Sequence, residues 1–320
     1  MRFEVFPMTL RMPEPVFAAL GLAVILLAIA TVAATVSKRF RRPLRDAEVR
    51  LRIRMWWYIV GGFFMALVLD RRFSVVALGL VSFVAFKEFL TLAPTRRADS
   101  KVLLWAYLAI PVQYFWAGSG LYGMFSVFIP VYVFLLLPMR MVLIGDTQGF
   151  LRAIGVIHWG LMTTVFCVSH LAFMLALPDL PGLKYTGVSL LFFLVVLTQI
   201  NDTTHYVATR RFGKHRILLK VRPGLSVEGL VAGTALTTLA AVALAPLFTP
   251  FNWLQAVAAG AMIGLLGFFG FVATAAVERD LGVRESGHFL PGHGGLLERL
   301  DSLMFSAPLF FHLVYDQFYR

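Results

Sequence analysis

The 320-residue chain is 59% hydrophobic and 14% charged, where a soluble domain carries about 25% charge. So much apolar surface cannot be enclosed in one water-soluble core, and lipid must cover a large part of it. The single cysteine, Cys167, excludes an internal disulfide framework and a cysteine-based zinc cluster, and what the net charge of +12 means depends on where the basic residues fall.

A helix that crosses a bilayer needs roughly 20 apolar residues. Pro15–Val36 carries no charge and predicts the first span. It is longer than the roughly 7–15 apolar residues of a secretory signal, and no small-residue cleavage site follows it. Further spans are predicted near Trp56–Leu69, Phe73–Ala93, Val102–Gly118, Phe125–Leu143, Ala153–Leu177, Val188–Val207, Leu230–Phe248, Trp253–Val277 and Leu303–Tyr319. The expected fold class is all-α, a polytopic transmembrane helix bundle of about ten spans. It divides into residues 1–143, transmembrane helices with a basic cytoplasmic loop, and residues 144–320, the region with the polar motifs.

Alternate loops hold the basic residues. Lys38 to Arg54, Arg96 to Lys101, Arg140, Arg152, Arg210 to Arg222, Arg279, Arg284 and Arg299 fall on one side, 22 against 6 on the other. The excess marks the cytoplasmic side, so both termini face away from the cytoplasm. The first basic loop reads as contact with anionic headgroups. It is short, juxtamembrane and poor in stacking aromatics, so no nucleic-acid partner is expected.

Two stretches on the basic side are unusual for connectors. In the first, Asp202 ends an apolar helix, a costly place for an ionisable group. Asn201, Thr203 and Thr204 surround it with oxygens suited to a hard cation such as Mg²⁺. Lys214, Arg222 and Glu228 follow, and the basic pair suits phosphate. A helix end dissolving into a basic loop is the plainer reading. The second stretch runs from Arg279 to Asp301. Gly292, Gly294 and Gly295 let backbone approach an anion. Glu298 and Asp301 lie three apart, on one face if Leu296 begins a helix, and Arg279, Arg284 and Arg299 offer charge for phosphate. Glu285 is a further candidate metal ligand. His288 and His293 suit hydrogen bonding or phosphate contact more than acid–base work. His158 and His170 are expected to be buried and hydrogen-bonded rather than a metal pair. Lys87 and Glu88 end an apolar helix, either as a lipid-phosphate contact or as a helix-end pair.

The run Gly287–Asp301 resembles the C-terminal motif of the phosphatidate cytidylyltransferase family, also called CDP-diacylglycerol synthases. Asn201-Asp202, Phe212-Gly-Lys214, Arg222-Pro-Gly224 and Glu228-Gly229 are similar to its upstream motif, in the same order. The resemblance covers about the last 125 residues. It implies transfer of CMP from CTP to phosphatidic acid or a related lipid phosphate, with release of pyrophosphate, in phospholipid biosynthesis. It implies Mg²⁺ on an acidic set of Asp202, Glu285 and Asp301, with Arg279 beside the reaction. Arg284 and Arg299 would face phosphate, and His293, Gly294 and Gly295 would close the site. Asn201, Lys214, Arg222 and Glu228 would contact substrate. A homodimer is implied by the resemblance alone. The expected location is the bacterial inner membrane, with the site facing the cytoplasm.

The chain departs from the family pattern. Phe271 stands for an aspartate, Ala275 for a serine, Glu278 for a lysine, and Arg284-Glu285 for Lys-Asp. Glu298 replaces an aspartate, and Leu225 and Val227 replace a lysine and a tryptophan. Glu278 is a candidate to supply the missing acid, and Glu298 a further candidate ligand. Three readings follow: an active cytidylyltransferase, a catalytically degraded paralogue serving a partner membrane protein, and a transporter or flippase. Charge gathered at helix ends rather than at the midplane speaks against the third.

Overall fold

The fold is that of a computed structural model, which describes residues 13–36, 53–54, 57–58, 60–62, 71–93, 100–145, 147–179, 185–282 and 295–319. Among these residues the ordered chain is helical, and the only β pairing is an isolated bridge between Arg216 and Ser226. The helices are α1 (Glu14–Val36), α2 (Arg71–Leu92), α3 (Ser100–Ser119), α4 (Tyr122–Val142), α5 (Phe150–Ala176), α6 (Gly187–Phe212), α7 (Val227–Phe248), α8 (Trp253–Asp280) and α9 (Leu297–Phe318). Helices α4 and α5 each contain a π-helical segment, Phe128–Val133 and Leu161–Cys167. The all-α, membrane-spanning fold class is as the sequence predicts. Helices α2 to α8 are long and apolar enough to cross a bilayer. Helix α9 has the length but carries Glu298, Arg299, Asp301 and Asp316. Most of the span expected near 56–69 lies outside the described residues, so the described residues do not by themselves give ten.

In a bilayer the backbone must satisfy itself, so helix ends need local partners. Ser226 accepts the Gly229 N–H at 3.1 Å to begin α7. Asn252 and Gln255 exchange bonds of 2.9 and 2.8 Å to begin α8. Helix α5 is the central element and mostly buried, whereas α7 lies at the edge of the bundle and is mostly uncovered. His170, within α5, is fully buried and bonded to the Phe166 carbonyl at 2.9 Å, and Phe125, Phe166 and Phe311 surround its ring.

Helices α6, α7 and α8 pack in sequence, and α9 lies against α8, α5, α6 and α2. Apolar burial does not drive helix association in lipid, so close packing at small residues and hydrogen bonds between helices carry it. An added Cβ at Gly264 or Gly260 would lie 2.7 Å from the Cα of Thr234 or Thr238 on α7. The ends of α2, α6 and α8 and the starts of α7 and α9 meet on one side of the bundle. There Arg210, Arg211, Lys214, Arg216, Lys220, Arg222, Arg279 and Arg299 gather.

Candidate active site

The site begins where α8 has two glycines one turn apart. Gly270 faces the backbone carbonyl of Asp301 so closely that a methyl group would collide with it, and a Cβ at Gly267 would lie 2.7 Å from Asn201 Nδ2. Those gaps let α6 and α9 close on α8. The result centres on Ser302. Its hydroxyl donates to Asp202 Oδ1 at 2.7 Å, with the Gly267 carbonyl at 3.3 Å, and its backbone N–H donates to Asp301 Oδ1 at 2.6 Å. Two carboxylates from different helices therefore meet at one serine. A hydrogen bond to a charged group contributes about 1.5–3 kcal/mol, enough to fix each side chain before any ligand arrives.

Asn201 and Asp202 are consecutive on a helix and so have different surroundings. Asn201 is buried, with its Oδ1 accepting from Thr237 Oγ1 at 3.5 Å and its amide against Gly267. It fastens α6 to α7 and α8. Asp202 turns toward α9 instead. Arg299 is exposed and within electrostatic range of both Asp202 and Asp301. Two close carboxylates in a weakly polar surrounding repel, and an oxygen-seeking cation relieves that repulsion. No group of three His, Cys, Asp or Glu able to hold a metal occurs among the described residues. Mg²⁺ commonly uses one or two carboxylates and completes its shell with water and substrate phosphates. Asp202 and Asp301 fit that donor set.

The rim is the segment between α6 and α7. Ile217 N–H donates to the Leu225 carbonyl at 3.2 Å, Arg222 N–H to Leu218 at 2.9 Å, and Val227 N–H to His215 at 3.0 Å. Leu225 is buried beneath it. The His215 ring donates to Glu228 Oε1 at 2.6 Å and its backbone N–H bonds the same carboxylate, which closes the base of the segment. Arg222 lies over the Phe271 ring of α8, its guanidinium carbon 4.4 Å from the ring centre.

Behind the pair, α9 has no side-chain cap of its own. Glu88, buried at the end of α2, provides one: its Oε2 accepts the N–H groups of Leu296 at 2.8 Å and Leu297 at 3.3 Å. This is neither of the two roles considered for Glu88, a lipid-phosphate contact or a pair with Lys87: the carboxylate caps a different helix. The carboxylate takes the seat that an anion would occupy at this helix start.

The cytidylyltransferase family profile matches residues 50–316, most of the chain. The chain belongs to the cytidylyltransferase family. It is 42% identical over 289 residues to the uncharacterized protein YnbB of Escherichia coli K12, covering 88% of this chain and 94% of that one. It is 30% identical over 156 residues to the phosphatidate cytidylyltransferase of Staphylococcus saprophyticus, covering 48% of this chain and 59% of that enzyme. The Staphylococcus aureus COL enzyme of the same name is 27% identical over 213 residues, 54% of this chain and 82% of its own. The chain thus spans little more than half the length of the S. saprophyticus enzyme.

Of the candidate residues in this family member, the structure joins Asp202 and Asp301 through Ser302 and places Asn201 behind them. Glu228 is occupied by His215. Arg222 is held on Phe271, and Lys214 is exposed on the rim. Glu278 is buried near the end of α8, Arg279 is exposed beside it, and Glu298 is half-buried in the first turn of α9. Gly295 is buried just before α9. Arg284, Glu285, His288, His293 and Gly294 lie outside the described residues. Sequence reasoning missed Ser302, the capping by Glu88 and the glycine pair Gly267 and Gly270. The spacing of Gly260, Gly264, Gly267 and Gly270 on one helix was the signal available for the last.

Proposed function

We propose that this protein transfers CMP from CTP to phosphatidic acid or a related lipid phosphate. A phosphate oxygen of the lipid attacks the α-phosphorus of CTP, the new O–P bond forms, and the bond to the β-phosphate breaks with release of pyrophosphate. The observation that carries the reading is the meeting of Asp202 and Asp301 at Ser302, on the basic end of a membrane-embedded family member. Asp202 and Asp301 would hold Mg²⁺, which when bound offsets charge on the phosphates and orients them. Ser302 keeps both carboxylates aimed. Arg222 and Arg299 attract the anionic substrates to the same end. The lipid reaches the site along the apolar helix faces, and the nucleotide arrives from the cytoplasm. In this reading the protein works in a bacterial inner membrane with the site facing the cytoplasm, which the excess of basic residues at that end supports.

A second reading rests on Phe271. Its ring carries Arg222 and supplies no metal ligand, as a non-catalytic family member that binds nucleotide or lipid would allow. Purified protein, CTP, Mg²⁺ and a panel of lipid phosphates separate the two. Pyrophosphate release that disappears in Asp202→Asn supports transfer. Binding of CTP without turnover on any lipid phosphate supports the second reading.

A further inference from the structure

The segment that carries Arg222 is braced, and its position follows from bonds already described. Leu225 N–H also donates to the Arg222 carbonyl at 3.3 Å. The guanidinium then lands on Phe271, the residue after the glycine that touches Asp301. On the facing side of α6, His205 stands one turn beyond Asp202 toward the basic end. Its ring is 6.0 Å from Phe271 and 5.3 Å from Phe268. Phe271 is thus wedged between α6 and the rim, directly after the glycine that touches Asp301. Arg222 is exposed on its outer side.

The choice of partner has a chemical consequence. A carboxylate beneath Arg222 would neutralise it and consume two of its N–H donors. An aromatic face attracts the cation through its quadrupole and leaves the N–H edge of the guanidinium available. That edge matches two phosphate oxygens at once. A ring therefore fixes the position of the charge without spending it.

We infer that Phe271 is a positioning residue: it holds Arg222 at the rim, beside the glycine that touches Asp301, and from there the guanidinium takes the phosphates of the bound nucleotide. The inference deepens the proposed CTP reaction and rests on that reading. Phe271 touches no reacting atom and acts through Arg222.

The test uses the full chain in lipid nanodiscs, with Phe271→Leu, Phe271→Trp, Arg222→Ala and the double variant Phe271→Leu/Arg222→Ala. CTP affinity is measured by calorimetry without added lipid phosphate, and KM and kcat are measured with it. Phe271→Leu keeps an apolar side chain and loses the ring face. It is expected to weaken CTP binding and raise KM roughly 3- to 30-fold, the worth of a cation–π contact between exposed and desolvated limits, with a smaller change in kcat. Phe271→Trp restores affinity. In the Arg222→Ala background Phe271→Leu adds nothing. Independent, additive losses, or a tryptophan variant as weak as the leucine variant, overturn the inference. Amide exchange across residues 217–225 gives a readout that needs no nucleotide. It speeds up in Phe271→Leu and recovers in Phe271→Trp if the clamp exists, and is the same in all variants if it does not. A wild-type protein that neither binds nor turns over CTP ends the cytidylyl-transfer reading, and the exchange data then decide the clamp alone.

Discussion

Glu88 makes the sharpest prediction, because one carboxylate from the N-terminal half supports the helix that carries Asp301 and Ser302. Its Oε2 receives two N–H groups at 2.8 and 3.3 Å, and Leu297, the second donor, is buried where water cannot replace the bond. Glu88→Gln keeps an acceptor and loses the charge. The difference between a charge-assisted and a neutral hydrogen bond is about 1 kcal/mol, and the lost attraction to the helix dipole adds about 0.3–1 kcal/mol. Glu88→Ala removes both bonds and leaves a buried donor, for about 2–4 kcal/mol. Local opening of α9 should therefore become roughly tenfold easier in Glu88→Gln and roughly 30- to 1,000-fold easier in Glu88→Ala. Hydrogen exchange read by mass spectrometry over residues 296–302 measures this directly. Peptides from α7 should be unchanged. Turnover should fall with it, because even a 1 Å displacement of aligned groups can cost about 100-fold. Unaltered exchange at 296–302, or equal acceleration across the whole bundle, would refute the capping role.

Ser302→Ala removes the donor to Asp202 at 2.7 Å and should lower pyrophosphate release about 10- to 100-fold, the kinetic equivalent of one charge-assisted bond; full activity would show that Ser302 does not align the acid. Gly270→Ala drives a methyl group into the Asp301 carbonyl. It should destabilise the protein by about 1–3 kcal/mol, read as a lower Tm, whereas Gly155→Ala, which meets no atom within 4 Å, should hold or slightly raise it. Chelation of divalent cations should abolish turnover and leave the Tm of Asp202→Asn unmoved, while it lowers that of the wild type.

The fold was legible because lipid imposes a simple rule. Charge-free runs of about 20 residues and the alternation of basic loops locate spans without any knowledge of packing. Both signals blur where function intrudes. The apolar span was expected only from Leu303, whereas the helix begins at Leu297, as a shared face for Glu298 and Asp301 requires; hydropathy discounts its first turns because they carry Glu298, Arg299 and Asp301. The division at residue 143 followed the motifs. Glu88 lies on the other side of it and still forms part of the support for Asp301, since a contact across 208 residues of sequence leaves no local trace.

The site was legible in its carboxylates and illegible in what holds them. Asp202 and Asp301 stand out because an ionised group in an apolar helix needs a reason. Ser302, Gly267 and Gly270 do not stand out, since serine and glycine are ordinary in membrane helices and acquire a role only when three helices converge. Phe271 and Leu225 show the same limit from the opposite direction. As letters they are a missing ligand and a missing cation. In the fold Leu225 is buried under the rim, and Phe271 carries the guanidinium of Arg222. Where the family pattern has an anion, this chain therefore has a ring that seats a cation. The charge needed to meet phosphate is then supplied in part by the chain itself. A lower demand for divalent cation follows, and it is measurable as Mg²⁺ dependence: Arg222→Ala should need a higher Mg²⁺ concentration for half-maximal turnover than the wild type, and an unchanged requirement would mean that the guanidinium and the cation act on different parts of the substrate.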